Sequence, residues 1–369
     1  MAKKLSKLQL AQEKAEAAAK KTNKKIEELG HHTSALYAAL NAIQSLFDRI
    51  RNVPEEEKLK YEELKNIRIG WKKQAENIEL EYKKSEVKAA GQGTAGVGAG
   101  VAVAALGPTA AMGIATTFGV ASTGTAISAL SGAAATNAAL AWLGGGALAA
   151  GGGGMAAGSA FLALAGPVGW AIAGVSIVAS GLTFFKTKSD KDRLENIFTI
   201  ISNRDVKSYE LAIVELSERV ERIVNEAGKL TEAITKIETF GTDYNKMSEA
   251  QQYELGAYVN LMEASTMLLV NPILGLQPKY TEQDFEKFCV SETELFRIYF
   301  KYHKGMVISL ANLLYKIKMD DKDKKLLAKS LKKNKEFLLS VKMSKKEFGA
   351  DDILMIEKAL DYRYRFTTY

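Results

Sequence analysis

Residues 206–237 read VKSYELAIVELSERVERIVNEAGKLTEAITKI. Apolar residues recur along this segment at alternating spacings of three and four: Val206, Tyr209, Ile213, Leu216, Val220, Ile223, Ala227, Leu230, Ile234 and Ile237. A stripe with this period, kept for more than four heptads, is typical of a long α-helix that packs as in a coiled coil. The sequence therefore predicts one helix from about Arg193 to Phe240, roughly 70 Å long at ~1.5 Å per residue.

A segment without charges lies before this helix. Residues 89–185 contain no Asp, Glu, Lys, Arg or His, although 25% of the whole chain is charged, and they hold 22 of its 30 glycines. We call residues 89–185 the uncharged segment. Because a helical membrane span needs about 20 apolar residues, this length could supply about two to four spans.

Two windows of the uncharged segment are candidates for insertion into a bilayer. Residues 159–185 are rich in large apolar side chains and are followed by Lys186 and Lys188, an order that membrane interfaces favour. Residues 96–121 contain Pro108 and several threonines, so their insertion is expected to be marginal. The residues predicted to enter the membrane are Gly96, Gly100, Phe118, Trp142, Gly154, Gly158, Phe161, Trp170, Phe184 and Phe185.

The small residues of the uncharged segment allow other interpretations. Gly96 and Gly100, like Gly154 and Gly158, are four residues apart, which lets helices approach closely in lipid. The same spacing also packs helices in water. An Ala/Gly-rich helical core and a flexible low-complexity segment therefore stay open as alternatives.

The remaining sequence predicts an all-α fold, an elongated helical bundle or coiled coil that carries the uncharged segment as a hydrophobic helical hairpin. Residues 3–29 predict an exposed or loosely docked helix that breaks at Gly30, and a new helix is expected from Thr33. Further helices are expected at 55–88, 248–270, 291–318, 322–341 and 344–364. The chain then divides into 1–88, 89–185, 186–270 and 271–369.

The order of these parts has a topological consequence. If the helix ending near Lys88 packs against the helix beginning near Asp190, the two ends of the uncharged segment lie on the same side of any membrane. We therefore expect an even number of spans.

The sequence lacks the usual signatures of catalysis. Residues 91–96 match G-x-G-x-x-G, but a charged helix precedes them and no acid follows before Asp190, so a dinucleotide site is rejected. The three histidines are scattered, and the single cysteine, Cys289, allows no disulfide framework. We expect a non-enzyme with no cofactor and no metal. No secretory signal is recognisable, so synthesis in the cytosol is expected.

The charge balance indicates possible partners. The formal net charge is +7, and residues 316–346 contain twelve lysines against four acids. Such a segment suits an anionic bilayer or a nucleic acid, and it also suits a solvated helix face. We expect a lipid bilayer as one partner, and the lysine-rich segment favours a bilayer with anionic lipid. We also expect contact with a second copy of the chain or with another helical protein. Nucleic acid is the less favoured choice.

The order of parts from Thr33 to Phe240, a helical bundle interrupted once by a glycine-rich hydrophobic segment, resembles α-helical pore-forming toxins of the cytolysin A and haemolysin BL type. It is also similar to the hydrophobic regions of type III secretion translocators. The resemblance implies a form that shelters the uncharged segment against its own helices and inserts it, as an oligomer, on reaching a membrane. The alternative is a non-enzymatic coiled-coil scaffold that tethers membranes without opening them.

Overall fold

The computed structural model describes residues 6–70, 187–271, 273–276, 279–280, 282–293, 298–299, 302–333, 338 and 343–366. This part of the chain contains helices and one isolated bridge but no strand, which confirms the all-α fold class. We number its helices α1 (Lys7–Phe47), α2 (55–70), α3 (Lys188–Ile237), α4 (Glu249–Val270), α5 (Glu282–Ser291), α6 (Lys304–Leu314), α7 (Asp321–Lys333) and α8 (Ala350–Phe366).

Helix α1 is continuous over 41 residues, so the predicted break at Gly30 is wrong. Ser6 begins the helix with a capping box, in which its hydroxyl accepts from the Gln9 amide at 3.2 Å. Thr33 lies inside the helix and donates to the Leu29 carbonyl at 2.7 Å, so it is not a cap. The first half of α1 is docked rather than loose, since it buries Leu8, Ala11, Ala15, Ala18 and Thr22. Packing along this face outweighs the weak helix propensity of glycine.

Helices α1 and α3 run parallel to each other. At one end, Leu8 of α1 packs in the same cluster as Leu194 and Ile197 of α3. At the other end, the Arg51 amide, just beyond α1, donates to the Thr242 carbonyl, just beyond α3, at 2.9 Å. With 50 residues, α3 is about 75 Å long at ~1.5 Å per residue.

Helices α2 and α4 run back against this pair. The ring of Tyr61 in α2 lies 5.2 Å from that of Phe47, and Lys65 pairs with Asp48 at 2.7 Å. Along α4, Glu254 contacts Lys236 of α3 and Ser265 donates to Glu226 at 3.4 Å, so sequence numbers rise on one helix as they fall on the other. The four helices enclose one apolar cluster, which includes the fully buried Leu36, Leu40, Ile43, Leu216, Leu230 and Met262.

A second apolar cluster surrounds the start of α3. It combines Leu8 and residues 194–201 with α5 to α8, and its most buried members include Phe198, Tyr280, Phe288, Leu327 and Phe348. The predicted single helix from 291 to 318 is wrong, because α5 ends at Ser291 and α6 spans only Lys304–Leu314. The Ser291 hydroxyl donates to the Phe288 carbonyl at 2.7 Å in the last turn of α5.

Candidate functional site at the flanks of the uncharged segment

The residues predicted to enter the membrane fall outside the described part of the chain, and so does Lys186. They are Gly96, Gly100, Phe118, Trp142, Gly154, Gly158, Phe161, Trp170, Phe184 and Phe185. The predicted pairing near Lys88 also lies outside it. Lys188 is the first residue of α3 and is exposed. The structure describes the chain up to residue 70 and again from residue 187, which we call the two flanks; residues 71–88 lie between the first flank and the uncharged segment.

The predicted stripe of α3 faces the interior of the bundle. Its members with buried side chains are Tyr209, Leu216, Val220, Ile223, Leu230 and Ile237, and those with partly buried side chains are Val206, Ile213, Ala227 and Ile234. Sequence reasoning missed Ala212 and Ala233, which are buried on the same face. Alanine is small enough to fit where α3 approaches its neighbours closely. The only sign of this burial in the sequence is that each alanine stands directly before a residue of the apolar stripe.

A buried arginine lies on the first flank, near residue 70, where the described part of α2 stops. Arg68 is 2% exposed, and its guanidinium donates to the Gln44 side-chain oxygen at 2.6 Å and to the Thr266 hydroxyl at 3.2 Å. These bonds connect α2 to both α1 and α4. Among the described residues, the Arg68 Nε has no hydrogen-bond partner. Three helices thus meet at one charged group where the described part of α2 ends.

The buried guanidinium carries an electrostatic cost. Burial lowers the pKa of Arg68 to about 10, because a charged group loses hydration in the core, while Tyr37 and Asp48 raise it in part. Asp48 accepts from Gln44 at 2.9 Å and from Lys65 at 2.7 Å. Among the described residues, the Arg68 guanidinium thus donates only to neutral groups, the Gln44 side-chain oxygen and the Thr266 hydroxyl.

The second flank is fixed by charges on the surface. The Thr187 hydroxyl accepts from the Asp190 amide at 3.3 Å and caps α3. Arg193, one turn further, binds Asp320 and, at 2.8 Å, Asp323 at the start of α7. A hydrogen bond from Arg193 lowers the pKa of Asp320 below its ordinary value. Lys322 lies 3.0 Å from Asp190 and joins the same two helices.

The basic segment 316–346 is only partly a free lysine face. Lys322 and Lys324 are engaged in ion pairs, the latter with Glu357 at 2.7 Å. The apolar residues of the same segment are buried, namely Leu326, Leu327, Leu331 and Leu338. Lys318, Lys325, Lys345 and Lys346 are exposed. This segment is thus a packed element of the second cluster that presents several lysines to solvent.

Within the described residues, no three His, Cys, Asp or Glu side chains are grouped closely enough to hold a metal ion. His303 packs its ring on that of Tyr299, with centroids 4.5 Å apart. Among the same residues, no helix combines the length and apolar character needed to cross a bilayer.

Comparison with protein-family models, curated proteins and solved structures finds no match to this chain.

Proposed function

We propose that this protein is a non-enzymatic, membrane-perturbing protein that inserts its uncharged segment conditionally into a bilayer and forms a pore as an oligomer. The observation that carries the proposal is the combination of 97 residues without an ionisable side chain and packed helices on both sides of them, with α2 in the first apolar cluster and the start of α3 in the second. Residues rich in Gly, Ala, Ser and Thr contribute little to insertion, so such a segment suits both a sheltered and an inserted state.

The direction of the flanks supports insertion as a hairpin. Helix α2 begins near the C-terminal end of α1 and runs back along it. Helix α3 starts beside the N-terminal end of α1. The described part of α2 therefore runs toward the end at which α3 starts. An even number of crossings returns the chain to the side from which it left, which is why we propose a hairpin.

The test uses the full chain and dye-loaded liposomes that contain anionic lipid. Release of dye together with flotation of the protein supports the proposal. Flotation with full retention of dye supports instead a tethering scaffold, for which the long parallel pair of α1 and α3 is the relevant feature. Absence of both at neutral and acidic pH refutes both functions.

A pair of variants locates the insertion. Leu164→Asp with Val175→Asp places two charges in the stronger window, each costing about 2.5–3.5 kcal/mol at the centre of a span. We expect this variant to lose dye release while its far-UV circular dichroism stays unchanged. The control is Leu164→Ile with Val175→Ile, which keeps the window apolar and should release dye as before. Equal release by both variants would contradict insertion of this window.

A further inference from the structure

A cavity lies between the turn after α6 and the inner side of α8. Its volume is about 620 Å³, within the range of small-molecule sites in proteins. The apolar part of its lining comes from three elements and consists of Leu314, Ile317, Met319, Ile353 and Leu360. A cavity of this size with an apolar floor suits a hydrocarbon chain.

The mouth of the cavity carries more positive than negative free charge. Lys316 and Lys318 line it, are exposed and form no ion pair with a described carboxylate. Lys324 also lines it but is held by Glu357 at 2.7 Å and Asp321 at 3.5 Å. Asp361 is then the one lining acid without an ion pair in the described part of the chain. The mouth therefore favours an anionic group over a neutral one.

The backbone at the mouth is held in an uncommon conformation. Lys316 has φ +59°, a left-handed value that is rare for residues other than glycine. Its amide donates to the Tyr364 hydroxyl at 2.7 Å, which fixes the turn to α8. The Lys316 ammonium lies 5.5 Å from the centre of the Tyr315 ring. Strained residues that are fixed by their surroundings are common at ligand sites.

We propose that this cavity binds an anionic single-chain lipid, with its hydrocarbon chain against Leu314, Ile353 and Leu360 and its headgroup at Lys316 and Lys318. The inference goes beyond the proposed function, because the cavity belongs to the second cluster and the ligand is taken up as a monomer rather than as a bilayer. Apolar burial supplies most of the affinity, and the two lysines select the charge of the headgroup.

The experiment is calorimetric titration of the full chain with sodium laurate below its micelle concentration. Dodecanol tests the contribution of the hydrocarbon chain without a charge, and inorganic phosphate tests the contribution of an anionic group without a hydrocarbon chain. We expect saturable laurate binding, weaker binding of dodecanol and none of phosphate. The variant Lys316→Gln with Lys318→Gln should weaken laurate binding about 5- to 30-fold and leave dodecanol binding unchanged. The control, Lys325→Gln with Lys345→Gln, removes two exposed lysines that do not line the cavity and should bind like the wild type.

A second variant separates this cavity from the uncharged segment, which is also apolar. Met319→Trp fills the cavity from a partly exposed position in the turn, so folding is expected to survive. It should abolish the saturable laurate binding and leave dye release from liposomes unchanged. Laurate binding unaffected by Met319→Trp, phosphate binding as tight as laurate binding, or no laurate binding at all would overturn the proposal.

Discussion

Replacement of Arg68 by methionine is expected to stabilise the fold. At 2% exposure, the fall in the pKa of Arg68 from its ordinary value to about 10 corresponds to roughly 3 kcal/mol of unfavourable free energy for the charged form. The folded chain binds this proton less tightly than the unfolded chain, so the cost is fully present at neutral pH and is relieved only above about pH 10. Methionine keeps the apolar stem and removes the charge.

The loss of two hydrogen bonds reduces the gain. The Gln44 oxygen and the Thr266 hydroxyl lose their donor, at about 1 kcal/mol each. We therefore expect Arg68→Met to raise the free energy of unfolding by about 1 kcal/mol. Gln44→Leu keeps the charge and removes its closest acceptor, so it should lower the same quantity by about 2 kcal/mol. The two substitutions remove the same Arg68–Gln44 hydrogen bond, yet they are expected to change the free energy of unfolding in opposite directions.

Urea unfolding followed by far-UV circular dichroism measures both variants, and hydrogen exchange of the α2 amides reports the local effect. The matched control is Arg49→Met, a change at an exposed arginine that should alter stability by less than about 0.5 kcal/mol. A loss of more than about 1 kcal/mol in Arg68→Met would refute the reasoning, because it would mean that the buried guanidinium stabilises the meeting point of the three helices.

Two further changes have defined outcomes. A Cβ at Gly275 would lie 2.5 Å from the backbone nitrogen of Ala212, so Gly275→Ala should lower the free energy of unfolding by about 1–3 kcal/mol. At Gly228 a Cβ would meet no described atom within 4 Å, so Gly228→Ala should raise the free energy of unfolding by up to about 1 kcal/mol. Urea unfolding measures both, and equal effects would contradict the close approach at Gly275. Because the pKa of Asp320 is lowered by the hydrogen bond from Arg193, its contribution to stability is present above about pH 4 and is lost as the pH falls further. The urea midpoint of Asp320→Asn should therefore fall less between pH 5 and pH 3 than that of the wild type, and equal falls would exclude this contact as a source of acid sensitivity.

The parts of the fold that could be predicted are those encoded by local periodicity. The α3 stripe predicts its helix to within a few residues, and Ser248 with Gln251 forms the capping box that starts α4, close to the predicted boundary. The continuity of α1 could not be predicted in the same way. Its first half shows few large apolar residues, and the alanines that it buries become informative only when α3 is placed beside them.

The details of the flanks depend on contacts between distant positions. Arg68 meets Gln44 and Thr266 from different helices, and a single arginine in a helix with many charges gives no sign of burial. The cavity beside α8 likewise forms only when a turn and two helices come together. The insertion residues themselves stay a prediction from composition.

The parallel arrangement of α1 and α3 has a consequence for biosynthesis. Leu8 and its partner Leu194 are separated by about half of the chain, so α1 leaves the ribosome long before its partner exists. At typical synthesis rates the wait is about 10 to 40 s, during which the apolar face of α1 has no α3 to pack against. Newly made chains should therefore depend on chaperones until α3 has been translated, and truncated products that end before residue 194 should aggregate.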